Sequence, residues 1–84
     1  MTELEDNLRK SILIACERLN MEIVNIDNTV ADILSEFKHL KTNDFTTALR
    51  NGGLGKYGRT YKLNTQELCF WIREYNRKKN NIAL

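Results

Sequence analysis

Residues 45–75 read Phe45-Thr-Thr-Ala-Leu-Arg-Asn-Gly-Gly-Leu-Gly-Lys-Tyr-Gly-Arg-Thr-Tyr-Lys-Leu-Asn-Thr-Gln-Glu-Leu-Cys-Phe-Trp-Ile-Arg-Glu-Tyr75. This stretch holds all four glycines, all three tyrosines and the only tryptophan of the 84-residue chain. It divides into a short helix, a basic turn punctuated by glycine, and an aromatic helix. Phe45, Ala48 and Leu49 recur at helical spacing and face inward. Asn51-Gly52-Gly53 reads as the stop of that helix, because glycine adopts the left-handed C-terminal conformation without a Cβ penalty. Asn64 is placed to cap the next helix, with Glu67 at the third helical position. There Leu68, Trp71, Ile72 and Tyr75 repeat as 0, 3, 4, 7 and predict the buried face. Gln66, Phe70, Arg73 and Arg77 fall on a different face. Between the helices, Gly58 is placed to turn a small hairpin with Lys56-Tyr57 and Thr60-Tyr61-Lys62 as arms. Without that hairpin, residues 54–63 form an irregular basic loop.

Outward from this stretch the pattern stays helical. Thr2 and Glu5 have capping-box spacing and open a helix over residues 2–20. Leu4, Leu8, Ile12, Ala15 and Leu19 share one face, and Leu13 and Ile14 widen it. The extra width suits a second core layer or a partner chain, including a second copy in a homodimer through this helix. Glu5 with Arg9 and Asp6 with Lys10 have favourable i,i+4 orientation. Helix is expected to continue to about Val24, followed by a turn over Asn25–Asn28. Asp27 or Asn28 is then the cap of a second helix, Thr29–Leu40, with Val30, Ile33, Leu34, Phe37 and Leu40 inward. Thr42 or Asn43 opens the third helix. The tail from Lys79 to Leu84 is expected to fray. The fold class expected is mainly α: one domain, a compact bundle of about four helices, with a short basic β-hairpin or loop between the last two.

Composition narrows the function classes. A chain of this length buries about two-thirds of the surface exposed when unfolded, enough for one core but not for a deep catalytic cleft. His39 has no acid or thiol at a telling spacing. No carboxylate pair suggests acid–base work, and Ser11 and Ser35 lie in no nucleophile motif. The reading is therefore a non-enzyme without metal or cofactor. Gly52-Gly53-Leu54-Gly55-Lys56 fails as a phosphate loop, since Tyr57 follows the lysine and no strand precedes the glycines. Cys16 and Cys69 have no metal-ligand spacing and read as small apolar residues in a reducing, cytoplasmic setting. No signal peptide or membrane span is expected, the longest apolar run being Ile12 to Cys16.

Charge is divided unevenly. Residues 1–38 carry four basic and eight acidic groups, net −4, whereas residues 39–84 carry nine and three, net +6. A basic half suits a polyanionic partner, although runs of charge also serve as plain solvated surface. Here the cations are interleaved with aromatics. Lys56, Tyr57, Arg59, Tyr61 and Lys62 occupy the turn, and Gln66, Arg73, Arg77 and Lys78 follow on the last helix, with Lys79 beyond. Lysine and arginine neutralise phosphates, while tyrosines stack on exposed bases. In a helix-turn-helix-like docking, Gln66, Phe70, Arg73 and Arg77 would face the nucleic acid. The competing reading puts Tyr57, Tyr61 and Phe70 in the core over the last helix.

Ala48-Leu49-Arg50, Gly53-Leu54-Gly55-Lys56-Tyr57-Gly58, Tyr61-Lys62-Leu63 and Trp71-Ile72-Arg73-Glu74-Tyr75 together resemble a pattern in small proteins of phages and mobile elements of Bacteroidetes-type bacteria. The resemblance spans about a third of the chain and carries over no site residue. It implies a cytoplasmic setting and a part in nucleic-acid transactions, or in binding and inhibiting a host protein. The expectation is a small accessory protein that binds nucleic acid, DNA in the first place. The alternative is a protein-interaction module whose partner is a host or phage protein.

Overall fold

The computed structural model describes residues 2–82, and within them four helices form and no strand. They are α1 (Glu3–Leu19), α2 (Ile26–Glu36), α3 (Thr42–Gly53) and α4 (Thr65–Ile82). The mainly α bundle is thus as expected. Its connector from residue 54 to 64 takes the loop form rather than the hairpin: tight turns over residues 54–57 lead into irregular chain, with no strand pairing.

α1 opens with a complete capping box: the Thr2 hydroxyl accepts from the Glu5 N–H at 3.1 Å, and the Glu5 carboxylate accepts from the Thr2 N–H at 3.3 Å. Its end corrects the sequence reading. The helix does not continue to Val24 but stops at Asn20, which is left-handed at φ 54, ψ 45. Met21 N–H returns to the Cys16 carbonyl at 3.0 Å and Asn20 N–H to Glu17 at 3.2 Å, closing a Schellman motif. Met21 and Ile23 then fold back against the core. Asn25, rather than Asp27 or Asn28, caps α2, accepting from the Asn28 N–H at 3.1 Å. The earlier start lets Ile26 pack against the core as well. Arg9 pairs with Asp27 on α2 instead of with Glu5.

α3 also differs in how it ends. Gly52 and Gly53 remain helical, and the left-handed residue is Gly55 at φ 83. Gly55 N–H bonds to the Gly52 carbonyl at 3.1 Å and Lys56 N–H to Asn51 at 2.9 Å, a second Schellman closure. Gly52 is needed for another reason: a Cβ there would lie 2.0 Å from Trp71 Cδ2. Glycine lets α3 approach α4 across the flat indole. Asn64 caps α4 as expected, accepting from the Glu67 N–H at 2.9 Å.

α1 packs chiefly on α3, α3 on α4, and α2 closes the remaining side against α1 and α4. Leu8, Ile12, Ala15, Ile33, Phe45, Ala48, Leu49, Leu68, Trp71 and Ile72 fill the centre. Leu63 from the connector adds a plug, and the Thr29 and Thr65 hydroxyls meet at 2.7 Å where α2 and α4 begin. The molecule is 17 Å along its short axis, about two layers of helix. α4 is helical to Ile82, and the part of the expected tail at Ala83 and Leu84 lies outside the described residues. No helix among the described residues is long and apolar enough to cross a membrane.

Candidate nucleic-acid interface

The site is built on the seam between α3 and α4. Asp44, at the third position of α3, is its anchor. Asp44 Oδ2 accepts from the Lys41 N–H at 3.0 Å, and Oδ1 accepts from the Tyr75 hydroxyl at 2.7 Å and from Lys79 Nζ at 3.0 Å. These donors, the backbone N–H first, hold the Asp44 carboxyl down to about 2. The same contact pushes the Tyr75 hydroxyl up to about 12, since ionised Tyr75 would face the carboxylate without its proton. The seam thus has a fixed protonation state through the neutral range, and Tyr75 is a committed donor.

Above this anchor the connector folds back onto α4. Tyr57 is half-buried, and its hydroxyl accepts from Asn51 Nδ2 at 3.2 Å. Burial raises the Tyr57 hydroxyl above its ordinary range. Lys78 Nζ lies over the Tyr57 ring, 5.2 Å from its centroid, and Lys79 Nζ lies 5.9 Å from that of Tyr75. Both distances fall within cation–π reach. Asn51, Lys56, Tyr57, Tyr75, Lys78 and Lys79 enclose one open depression of about 280 Å³. Its lining is mostly apolar, which from these residues means phenol rings and lysine methylenes. Lys79 offsets Asp44, and Lys56 and Lys78 stand at the rim, with the Glu74 carboxylate close enough to interact with Lys78 and Tyr57.

Three of the nine residues singled out in the sequence, Lys56, Tyr57 and Lys78, therefore come together. The others are distributed around the molecule. Arg59 lines a second depression with Arg18, Leu19 and Met21 from the end of α1, and its guanidinium lies 6.0 Å from the Tyr61 ring centroid. Tyr61 is 81% exposed. Lys62 and Gln66 are exposed. Arg73 is drawn toward α2, 3.7 Å from Glu36 and over the Phe37 ring at 5.8 Å. Arg77 is held by Glu74 through two hydrogen bonds of 2.9 and 3.1 Å, which lower the Glu74 carboxyl and raise the Arg77 guanidinium. Of the three aromatics weighed as core, Tyr57 packs against it, while Tyr61 and Phe70 face outward.

Asp44 and Asn51 escaped the sequence reading. Asp44 stands three residues after Lys41, the spacing of a capping box, but a lysine in the cap position hides the signal. Asn51 looked like part of a glycine stop. Both cysteines are free, and burial pushes both thiols up. No group of three or more His, Cys, Asp or Glu that could hold a metal occurs among the described residues. Comparison of the chain with family models, curated proteins and solved structures finds no match, so its function has to be read from its own side chains.

Proposed function

We propose that the protein is a small accessory protein that binds nucleic acid, DNA in the first place, through the turn at residues 56–62 and the adjoining part of α4. The observation that carries this reading is the meeting of Lys56 and Lys78 at the rim of a depression walled by Tyr57 and Tyr75. Lysine ammonium groups release counterions from phosphates, and aromatic faces receive bases. The net +6 of residues 39–84 favours a polyanionic partner. The resemblance of residues 48–75 to small phage and mobile-element proteins supports a part in replication or maintenance of such an element.

Anisotropy titration of labelled DNA and RNA against salt tests the reading. Two to four phosphate contacts give a log–log salt slope of about −1.4 to −3.6. Replacing both Lys56 and Arg59 by alanine should weaken binding and flatten that slope while leaving the melting temperature unchanged, since both side chains are exposed. A double variant that binds as the parent does would remove the turn from the site.

One observation favours a second reading, a protein-interaction module. Leu13 and Ile14 on α1 are 49% and 45% exposed, and Leu13 borders a groove with Cys16, Met21, Ile23 and Ile26. A host or phage protein, or a second copy of the chain, could cover that face. Retention of one protein partner after nuclease treatment, without nucleic-acid binding in titration, would favour it. A monomer mass by light scattering across the micromolar range would exclude the homodimer.

A further inference from the structure

We infer that the ligand is single-stranded nucleic acid, held by stacking of its bases on Tyr61 and in the Tyr57–Tyr75 depression, rather than a duplex; this deepens the nucleic-acid reading above and rests on it. Three features of the surface point this way.

The first is the charge on α4. A helix that reads a duplex groove brings its exposed face between two phosphate backbones. On α4 that face carries Arg73 and Arg77, and each is already matched to a carboxylate, Glu36 and Glu74 respectively. Docking it in a groove would bring those two acids toward phosphates. Lys56 and Lys78 lie instead at the depression, and neither is held in an ion pair among the described residues, although Glu74 stands one turn from Lys78.

The second is the shape and chemistry of the depression. It is concave, and its walls are mostly phenol rings and methylenes. A duplex offers phosphate oxygens to such a surface, and its bases are stacked on one another out of reach. A flat base from a single strand fits the walls once Lys78 swings off the Tyr57 ring to take a flanking phosphate with Lys56.

The third is Tyr61. Its ring is 81% exposed, so it adds little to the core, and an arginine side chain lies 6.0 Å from its centroid. An aromatic ring beside a guanidinium is the platform that sequence-tolerant single-strand binders use. Tyr61 lies four residues beyond Tyr57, within about 14 Å along the backbone. The two residues are therefore close enough for a short strand to span.

The experiment compares a labelled oligothymidylate of about twelve nucleotides, long enough for one such site, with a duplex of the same length, at low salt and at about 0.15 M salt. The parent, Tyr61→Ala and Tyr61→Trp are titrated with each. The expected result is tighter binding of the single strand by the parent. Tyr61→Ala should lose at least about fivefold on the single strand, the lower end for one stacked base, with duplex binding unchanged. Tyr61→Trp should retain the affinity. A duplex bound as tightly as the single strand, or an alanine variant that loses nothing on the single strand, overturns this inference and leaves the nucleic-acid reading standing. Failure of both probes to bind at low salt overturns both.

Discussion

The α3–α4 seam and the turn that joins the two helices use the same residue types for opposite ends. Gly52 in the seam admits an indole where any Cβ would collide, whereas Gly55 in the turn is there for its left-handed backbone. Tyr75 in the seam spends its hydroxyl on Asp44, whereas Tyr61 in the turn stands in solvent. Lys79 is tied to Asp44, while Lys56 on the turn is exposed. The same residue type supports the fold where it is buried and partnered. Where it is exposed, it has no such structural task.

If that division is right, substitutions in the seam should cost much stability and those in the turn little. Trp71 is completely buried against Gly52, so Trp71→Ala should cost roughly 3–5 kcal/mol. Urea denaturation followed by circular dichroism measures this, and an unchanged midpoint would dissolve the distinction between the two regions. Gly52→Ala should be destabilising by about 1–3 kcal/mol or more, since its methyl overlaps the indole and the helix backbone leaves it nowhere to go.

Acid tests the anchor beneath the site. Asp44 is depressed to about 2 from an ordinary value of 3.8, so its contribution is fully present above about pH 4. It is lost as the pH falls from there toward 2, by about 2 kcal/mol in all. Tyr75 is raised to about 12, so its contribution is present below pH 10 and is lost as the pH rises from 10 toward 12. Asp44→Asn should flatten the acid limb of a stability–pH curve, and an unchanged limb would show that the carboxylate is not the group responsible.

The turn should respond more weakly. Gly55→Ala forces a Cβ into the left-handed region and should cost about 1–2 kcal/mol, with no clash to add to it. Tyr61→Ala should change stability by no more than about 0.5 kcal/mol, as exposed positions usually do. A large loss at Tyr61 would mean that the ring supports the fold after all.

Legibility in the sequence follows the same division between local and tertiary causes. The Thr2 and Asn64 caps and the Leu68-Trp71-Ile72 face were readable because each is set by neighbours three or four residues away. The stop at Asn20 was not, because a left-handed asparagine looks like any other, and the β-branched run after it suits several conformations. Three Asx residues compete to cap α2, and the choice of Asn25 follows from burial of Met21, Ile23 and Ile26, which only the assembled core decides. At the site, the sequence shows a surplus of cations but not their partners. Glu36 takes Arg73 from across the bundle, and Asp44 takes Lys79 from 35 residues away. Which lysines remain available is a property of the packed helices.

The Asn51–Gly52 step has a consequence of another kind. In a loose chain an asparagine followed by glycine readily cyclises through the next backbone nitrogen and loses its amide, leaving aspartate or isoaspartate. Here that nitrogen is held in the last turn of α3, and the Asn51 amide is engaged by Tyr57. The fold thus guards its most perishable peptide link, and does so at the wall of the depression. Each excursion that frays this end of α3 is an opportunity for an irreversible change that plants a negative charge beside Lys56 and Lys78. The age of a preparation would then be written in its charge, and read as a drift toward lower isoelectric point.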